Sequence, residues 1–307
     1  MRVLLTGGTG FIGRRVAQRL VGWGHDVRCL VRRSADLSPL QMLPVEVWAG
    51  DVTDAETLPG ALEDIEAVVH LAGIIKEQPP AVTFERVHVL ATHHLVEAAK
   101  AAGVTRMIFL SAIGARPDRS YPYLLTKWQA EELVKGSGLS WTILRSSIGF
   151  GPRDAFMNRL AALVRRPPSG DRKLAPFVPI IGSGTTRFQP IWVEDVADCM
   201  VKALGNPDLA GQIIEVGGPE QFTYEELVDI IMDTLNIHRP KVHAPVAFMR
   251  PVVALMPLIY RDPPITSGQL AMINLDSVAE PNVVQRVFGF QPARLRDKLG
   301  YVVDESR

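Results

Sequence analysis

Tyr123 and Lys127, set four residues apart in Tyr123-Leu124-Leu125-Thr126-Lys127, are the pair in this chain whose types and spacing suit proton chemistry. On a helix that spacing puts the phenol and the ammonium on one face. A phenol ordinarily titrates near about 10, too high for a general base at neutral pH, and an adjacent cation favours the phenolate and lowers that value. One tyrosine and one lysine also describe an ordinary helix start, so the elements that position them decide their meaning.

The first of those elements is Gly7-Gly8-Thr9-Gly10-Phe11-Ile12-Gly13. It follows the predicted strand Val3-Leu4-Leu5 and leads into Val16-Ala17-Gln18-Arg19-Leu20, which reads as a helix. Glycines there let the backbone turn tightly and approach an anion without a side chain in the way, and the helix N-terminus offers free N–H groups. Strand, glycine turn and helix in that order form the phosphate cradle of a dinucleotide-binding fold, the alternative being a tight turn with no ligand. Gly24-His25-Asp26 then breaks the helix, and Val27 to Val31 reads as a second strand, completing one strand–helix–strand unit.

Further strands are predicted at Val45 to Ala49, Ala67 to Gly73, Arg106 to Ser111 and Trp141 to Leu144. Helices are predicted around Thr57 to Leu62, from about Phe84 to Ala102, and from Tyr123 to Lys135. Apolar strands alternating with helices indicate an α/β fold, a Rossmann-type doubly wound parallel sheet covered on both faces. Residues 1–150 read as the dinucleotide-binding domain and 151–307 as a smaller C-terminal α/β substrate or partner domain, with a return segment at about 186–210 packing with the first. Prolines and glycines cluster from Pro167 to Gly184, Glu194 to Leu204 reads as a helix and Gln212 to Val216 as a strand. Thr223 and Glu226 form a predicted capping box. The apolar stretch Ala247 to Tyr260, interrupted by Pro251 and Pro257, reads as a kinked core helix, with a protein-contact or membrane-surface segment as the alternative.

With 33 basic and 33 acidic residues the formal net charge is zero, which argues against bulk electrostatic binding of nucleic acid. The two cysteines, Cys29 and Cys199, sit in a predicted strand and a predicted helix and suggest neither a disulfide framework nor a metal site. A first strand beginning at Arg2 leaves no room for a signal peptide, and no apolar run is long enough to span a bilayer. The expectation is a cytoplasmic protein.

The glycine turn and Tyr-x-x-x-Lys together resemble the short-chain dehydrogenase/reductase superfamily. Gly50-Asp51-Val52, His70-Leu71-Ala72-Gly73, the Leu144 to Pro152 segment and Phe188 to Ala197 resemble its extended, epimerase/dehydratase-like branch. Leu110 to Ala115 and Val216-Gly217-Gly218-Pro219 resemble the atypical group that contains the dehydrogenase-like accessory subunit of respiratory complex I. The resemblance implies a cofactor held by Gly7, Thr9, Gly10, Phe11, Ile12, Gly13, Asp51, Val52, Leu71, Ala72, Gly73, Tyr123 and Lys127. Asp51 and Val52 would meet the adenine, and the cofactor would run over the strand end Leu71-Ala72-Gly73. The superfamily's catalytic set is Asn, Ser, Tyr and Lys. Here Tyr123 and Lys127 are present, Ala112 falls at the serine position with Ser111 one step early, His88 stands for the asparagine, and Ser146 replaces a proline.

At the end of the second strand, where an acid would select NAD, this chain has Val31 followed by Arg32 and Arg33. Guanidinium groups there can pair with a 2′-phosphate, so NADP(H) is expected over NAD(H). Three functions follow. In the first, an NADP-dependent oxidoreductase uses Tyr123 to move the substrate proton, Lys127 to hold the nicotinamide ribose and lower the tyrosine's pKa, and Ser111 to polarise the oxygen of a carbonyl or carbinol. In the second, the protein holds NADP as a structural or sensing ligand and acts through a partner, peripheral to a membrane complex and near quinone metabolism. The third is a sugar-nucleotide epimerase or dehydratase using the same tyrosine.

Overall fold

The computed structural model describes residues 1–165, 177–259 and 266–304. The predicted proline and glycine cluster lies outside the described residues over 166–176, as does Tyr260 at the end of the apolar stretch. Contacts divide the chain into two units. The first comprises Met1–Ser146, Val193–Val216 and Val283–Phe290, and the second Ser147–Trp192, Gly217–Asn282 and Gln291–Arg307.

The first unit is built on a parallel sheet of seven strands. They are β1 Arg2–Thr6, β2 Asp26–Val31, β3 Glu46–Ala49, β4 Ala67–His70, β5 Arg106–Ala112, β6 Ser140–Ser146 and β7 Gln212–Val216, in spatial order β7-β6-β5-β4-β1-β2-β3. The central strands are apolar on both faces because helices cover both: Val3, Leu4, Leu5, Val68 and Val69 are fully buried. Strand order reverses between β1 and β4, and in such sheets ligands bind beyond the carboxyl ends of the strands at this switch. Thr6 ends β1 and pairs in register with His70, the last residue of β4.

Two helices matter for the site. Pro122–Lys135 starts with proline in its first turn, where a missing N–H costs nothing, and runs into Gly136. The long helix expected from Phe84 instead begins as a π-helical segment, Glu85–Leu90, and continues as α-helix through Ala91–Ala101. Widened turns of this kind occur frequently at functional sites, and this one carries His88. Arg15 and Arg19 of the Gly13–Gly22 helix pair with Glu194 at 3.1 and 3.2 Å, locking the Val193–Gly205 helix beside it.

In the second unit, helices Met157–Arg165 and Tyr224–Leu235 share a core of Leu160, Ala161, Val164, Leu227, Val228 and Ile231. The capping box at Thr223 and Glu226 is present in both directions. The apolar stretch forms the helix Val246–Ile259, but it is not a core helix: Val253 is buried while Phe248, Val252 and Leu255 are 75%, 48% and 57% exposed. Their i, i+4, i+7 spacing sets all three on one face. No helix among the described residues is long and apolar enough to cross a membrane.

Candidate functional site

The glycine loop is shaped by contacts no side chain could share. Gly7 adopts φ +74°, and a Cβ on it would lie 2.9 Å from the Ala72 nitrogen; one on Gly13 would lie 1.9 Å from the Gly7 carbonyl oxygen. The first glycine thus brings the loop against the Leu71-Ala72 strand end, and the third lets the helix start directly over the turn. Gly10 N–H donates to the Gly7 carbonyl at 3.0 Å, closing the turn. The amides of Phe11, Ile12 and Gly13 have no acceptor among the described residues, and the helix has neither a side-chain cap nor an acidic residue in its first turn. Its orphan donors and positive end therefore remain available to an anion. This cradle, which a single Cβ would fill, fits the pyrophosphate of a dinucleotide.

Around the loop, Arg32 and Arg33 are exposed just beyond β2 and make no ion pair among the described residues. Asp51 folds into its own turn: its Oδ1 accepts from the Thr53 amide and hydroxyl, both at 2.9 Å. Val52 packs partly buried against the core, and Thr9, Phe11 and Ile12 are half-buried.

Gly73 joins the cradle to the second motif. A Cβ there would sit 3.3 Å from Lys127 Nζ and 3.6 Å from His88 Nε2. Lys127 is 6% exposed, donates to the Leu110 carbonyl at 3.0 Å and lies 5.2 Å over the Phe109 ring. Burial pulls its ammonium down to about 8, with the nearby Glu131 carboxylate opposing. An ammonium has three protons, so the bond to Leu110 leaves donors for a ligand hydroxyl.

Tyr123 stands edge-on to His88 and Phe84, with ring centroids 5.6 Å away in each case. Its phenol oxygen has no hydrogen-bond partner among the described residues. The expected lowering of its pKa by Lys127 is not found: burial dominates and pushes the phenol up to about 12. The phenol therefore keeps its proton across the neutral range.

The Ser111 hydroxyl, expected to polarise a substrate oxygen, is directed to another partner. Its hydroxyl is buried and donates to Glu131 Oε1 at 2.5 Å. A hydroxyl has one proton, and this one is committed. Glu131 is fully buried and is also held by Arg145, Nε to Oε1 at 2.9 Å and Nη2 to Oε2 at 2.7 Å. Alternation along β5 explains the difference, because Ser111 and Ala112 project to opposite faces.

The resemblance singled out position 88, but nothing in the sequence reading gave His70, Thr126 or Glu131 a part in this site. His88 is 1% exposed, held between Ile74 and Thr126 and stacked on Phe84 at 5.4 Å. One signal was available for Glu131: it lies four residues beyond Lys127, on the same helix face as the Tyr-x-x-x-Lys pair. Among the described residues no cluster of His, Cys, Asp and Glu could hold a metal ion. Cys29 and Cys199 are both free and buried.

A parallel sheet with a glycine cradle at its switch point and a Tyr-x-x-x-Lys helix beside it defines a nucleotide-binding protein of the extended short-chain dehydrogenase/reductase class. The profile of the NAD dependent epimerase/dehydratase family matches residues 3–217, and the chain belongs to that family. It is 29% identical over 287 residues to subunit 9 of the NADH dehydrogenase [ubiquinone] 1 alpha subcomplex of Arabidopsis thaliana, covering 89% of this chain and 67% of that one. It is 33% identical over 213 residues to the ceramide reductase of Caulobacter vibrioides, covering 68% and 64%. The chain thus spans about two thirds of these relatives' length. Among solved structures, gox2253 superposes with a TM-score of 0.76 at 26% identity, covering 98% of this chain and 96% of that one. The UDP-glucose 4-epimerase of Thermotoga maritima shares the fold, with a TM-score of 0.74 at 20% identity, 100% of this chain and 99% of that one being covered.

Proposed function

We propose that this protein is an NADP(H)-dependent oxidoreductase in which Tyr123 transfers the proton to or from a carbonyl or carbinol oxygen. The observation that carries the reading is the Tyr123 phenol. It is raised to about 12 by burial, has no partner among the described residues, and belongs to the same helix face as Lys127, which touches the strand end beside the glycine cradle. A nicotinamide, when bound, supplies or accepts the hydride. Tyr123 donates its proton to the carbonyl oxygen as that oxygen gains negative charge, and its raised pKa keeps the proton in place at neutral pH. Lys127 holds a ribose hydroxyl with the protons not given to Leu110. Arg32 and Arg33 are free to engage a 2′-phosphate, which supports NADP(H). Reductases occur among the relatives, including the ceramide reductase and an NAD(P)H azoreductase of Xenophilus azovorans. The test is NADPH oxidation against a panel of carbonyls and quinones, with wild type and Tyr123→Phe compared at matched cofactor occupancy. No turnover with any of them, alongside tight NADPH binding, refutes the enzyme.

A second reading rests on Ser111. With that hydroxyl spent on Glu131 and His88 in the asparagine position, the protein holds NADP(H) without turning it over and works through a partner. The similarity to a complex I subunit supports this, and the exposed Phe248, Val252 and Leu255 face is the surface it would offer. NADPH that co-purifies, survives dialysis and is not oxidised by the panel would establish it.

A further inference from the structure

Behind Tyr123 lies a buried chain of hydrogen bonds in which every proton can be assigned by counting. Thr92 Oγ1 donates to the His88 carbonyl oxygen at 2.5 Å. That hydroxyl has no second proton, so at its 3.1 Å contact with His70 Nε2 the histidine is the donor. His70 then accepts at Nδ1 from Thr6 Oγ1, 2.6 Å away. Thr6 in turn accepts from the Ala72 amide at 3.3 Å, beside the glycine loop.

The same counting applies to His88. Its Nε2 lies 3.1 Å from both the N–H and the carbonyl oxygen of Ile74, and one nitrogen cannot accept from the first and donate to the second. N–H groups withdrawn from solvent and left without an acceptor are rarer than carbonyls without a donor, and the partly buried Ile74 N–H has no other acceptor among the described residues. Nε2 is therefore the acceptor. At the other end, Nδ1 lies 3.0 Å from Thr126 Oγ1, whose own proton has the Pro122 and Tyr123 carbonyls at 3.0 and 3.1 Å. Nδ1 is therefore the donor.

We infer that His88 is a positioning residue for the Tyr123 and Lys127 pair, an imidazole with its single ring proton on Nδ1 that ties the Gly73-Ile74 strand end to the Pro122–Lys135 helix. His70, with its proton on Nε2, ties the π-helical turn bearing His88 back to β1. The ring does this only while neutral: a proton on Nε2 would break the bond from Ile74. Burial first, then Lys127 and His70, oppose that second proton, outweigh the pull of the Ile74 carbonyl and hold His88 down to about 2. His88 relays no proton. It fixes the distance between the strand end that the cofactor crosses and the edge of the tyrosine ring. The inference rests on the proposed function for its purpose, but not for its test.

Nitrogen-15 NMR of histidine-labelled protein, with and without NADPH, reads the ring protons directly. His88→Gln and His88→Asn spectra, together with His70→Asn, assign the signals. The expected result at pH 6 to 8 is one proton on Nδ1 of His88 and one on Nε2 of His70. A proton on Nε2 of His88, or a second ring proton at pH 6, overturns the inference. NADPH titrations provide a second reading. The side-chain amide introduced by His88→Gln still reaches the Ile74 N–H, so affinity should stay within about threefold, whereas His88→Leu should weaken it about tenfold, the effect of one partly buried donor losing its acceptor. Equal weakening by both variants also overturns it. Correct ring protons in a protein that turns over nothing would sink the oxidoreductase and leave this inference standing.

Discussion

The glycine cradle and the tyrosine helix sit at the same end of one sheet, yet they are made of different material. The cradle is backbone. Gly7, Gly10 and Gly13 contribute by lacking side chains, and the groups that face an anion are amides present in any sequence able to fold this turn. The proposed proton-transfer pair is side chain, and the resemblance puts Ala112 and His88 at two of the superfamily's four positions. Around Tyr123 and Lys127, His88 meets the tyrosine ring edge-on and bonds to Thr126, while Glu131 takes the Ser111 proton. A site made of backbone has few tolerated variants because it depends on φ angles and close approaches. A site made of side chains can lose one function and keep its neighbours in place.

If that contrast holds, variants in the two regions should separate chemistry from binding. Tyr123→Phe should lower turnover by about a thousandfold, within the range for loss of a positioned general acid, while NADPH affinity stays within about twofold. Gly13→Ala should do the reverse. Its Cβ would lie 1.9 Å from the Gly7 carbonyl, so the loop must open, weakening NADPH by about a hundredfold, or ~3 kcal/mol. Stopped-flow turnover and fluorescence titration measure the two quantities. Loss of cofactor affinity in Tyr123→Phe would break the comparison, because the phenol would then belong to the cradle.

Lys127 belongs to both regions, and pH exposes its cost. Its folded pKa, about 8, lies below the ordinary value of 10.5. Between those two pH values the unfolded chain binds more protons than the folded one, so this group's contribution to stability rises with pH across the window. Below pH 8 the penalty for burying the ammonium is present in full, about 3 kcal/mol. Lys127→Met should therefore be the more stable protein at pH 7 in urea denaturation, with its advantage gone by about pH 10.5. The same variant should bind NADPH less tightly. A Lys127→Met protein less stable than wild type at pH 7 would show that the bond to Leu110 and the Glu131 carboxylate outweigh desolvation.

The cradle's outer rim gives a smaller and sharper test. Arg32→Ala should reduce the ratio of NADP to NAD affinity by about tenfold, or ~1.4 kcal/mol, by removing one charge-assisted contact with a 2′-phosphate. Calorimetric titration with both cofactors reads the ratio. No change in it would move the specificity to Arg33 or away from this rim altogether.

Most of the first unit was legible because each of its strands is a short apolar run bounded by a turn, and because a glycine triplet between strand and helix has few other uses. The π-helical turn was not legible. Glu85 to Leu90 has ordinary helical periodicity, and what widens it is tertiary: His88 is drawn inward to meet Ile74 and Thr126. Local pattern also said little about Val246–Ile259. An apolar run reads the same whether one face or both are covered, and here Val253 is buried while Phe248 and Leu255 are not. Tyr123 and Lys127 were found from spacing, but the direction of the tyrosine's pKa was not, because burial outweighs the cation and burial belongs to the fold.

Ser111 marks the boundary between the parts that spacing reveals and the parts that only packing reveals. A serine at the end of β5, just before the tyrosine helix, invites a catalytic reading, and a one-residue offset along the strand sends it to the opposite face. There its hydroxyl meets Glu131, whose carboxylate is already bound through both oxygens to Arg145. Removing the hydroxyl leaves no oxygen of that carboxylate without a donor, so Ser111→Ala should cost only about 1 kcal/mol, a melting temperature lower by roughly 2–4 °C. Turnover should change by less than about threefold, an effect smaller than that of any variant in the Tyr123 and Lys127 pair. A drop of a hundredfold with the melting temperature preserved would mean that Ser111 leaves Glu131 and turns to the substrate when the cofactor binds. The side-chain half of the site would then include a third polar group beside Tyr123 and Lys127.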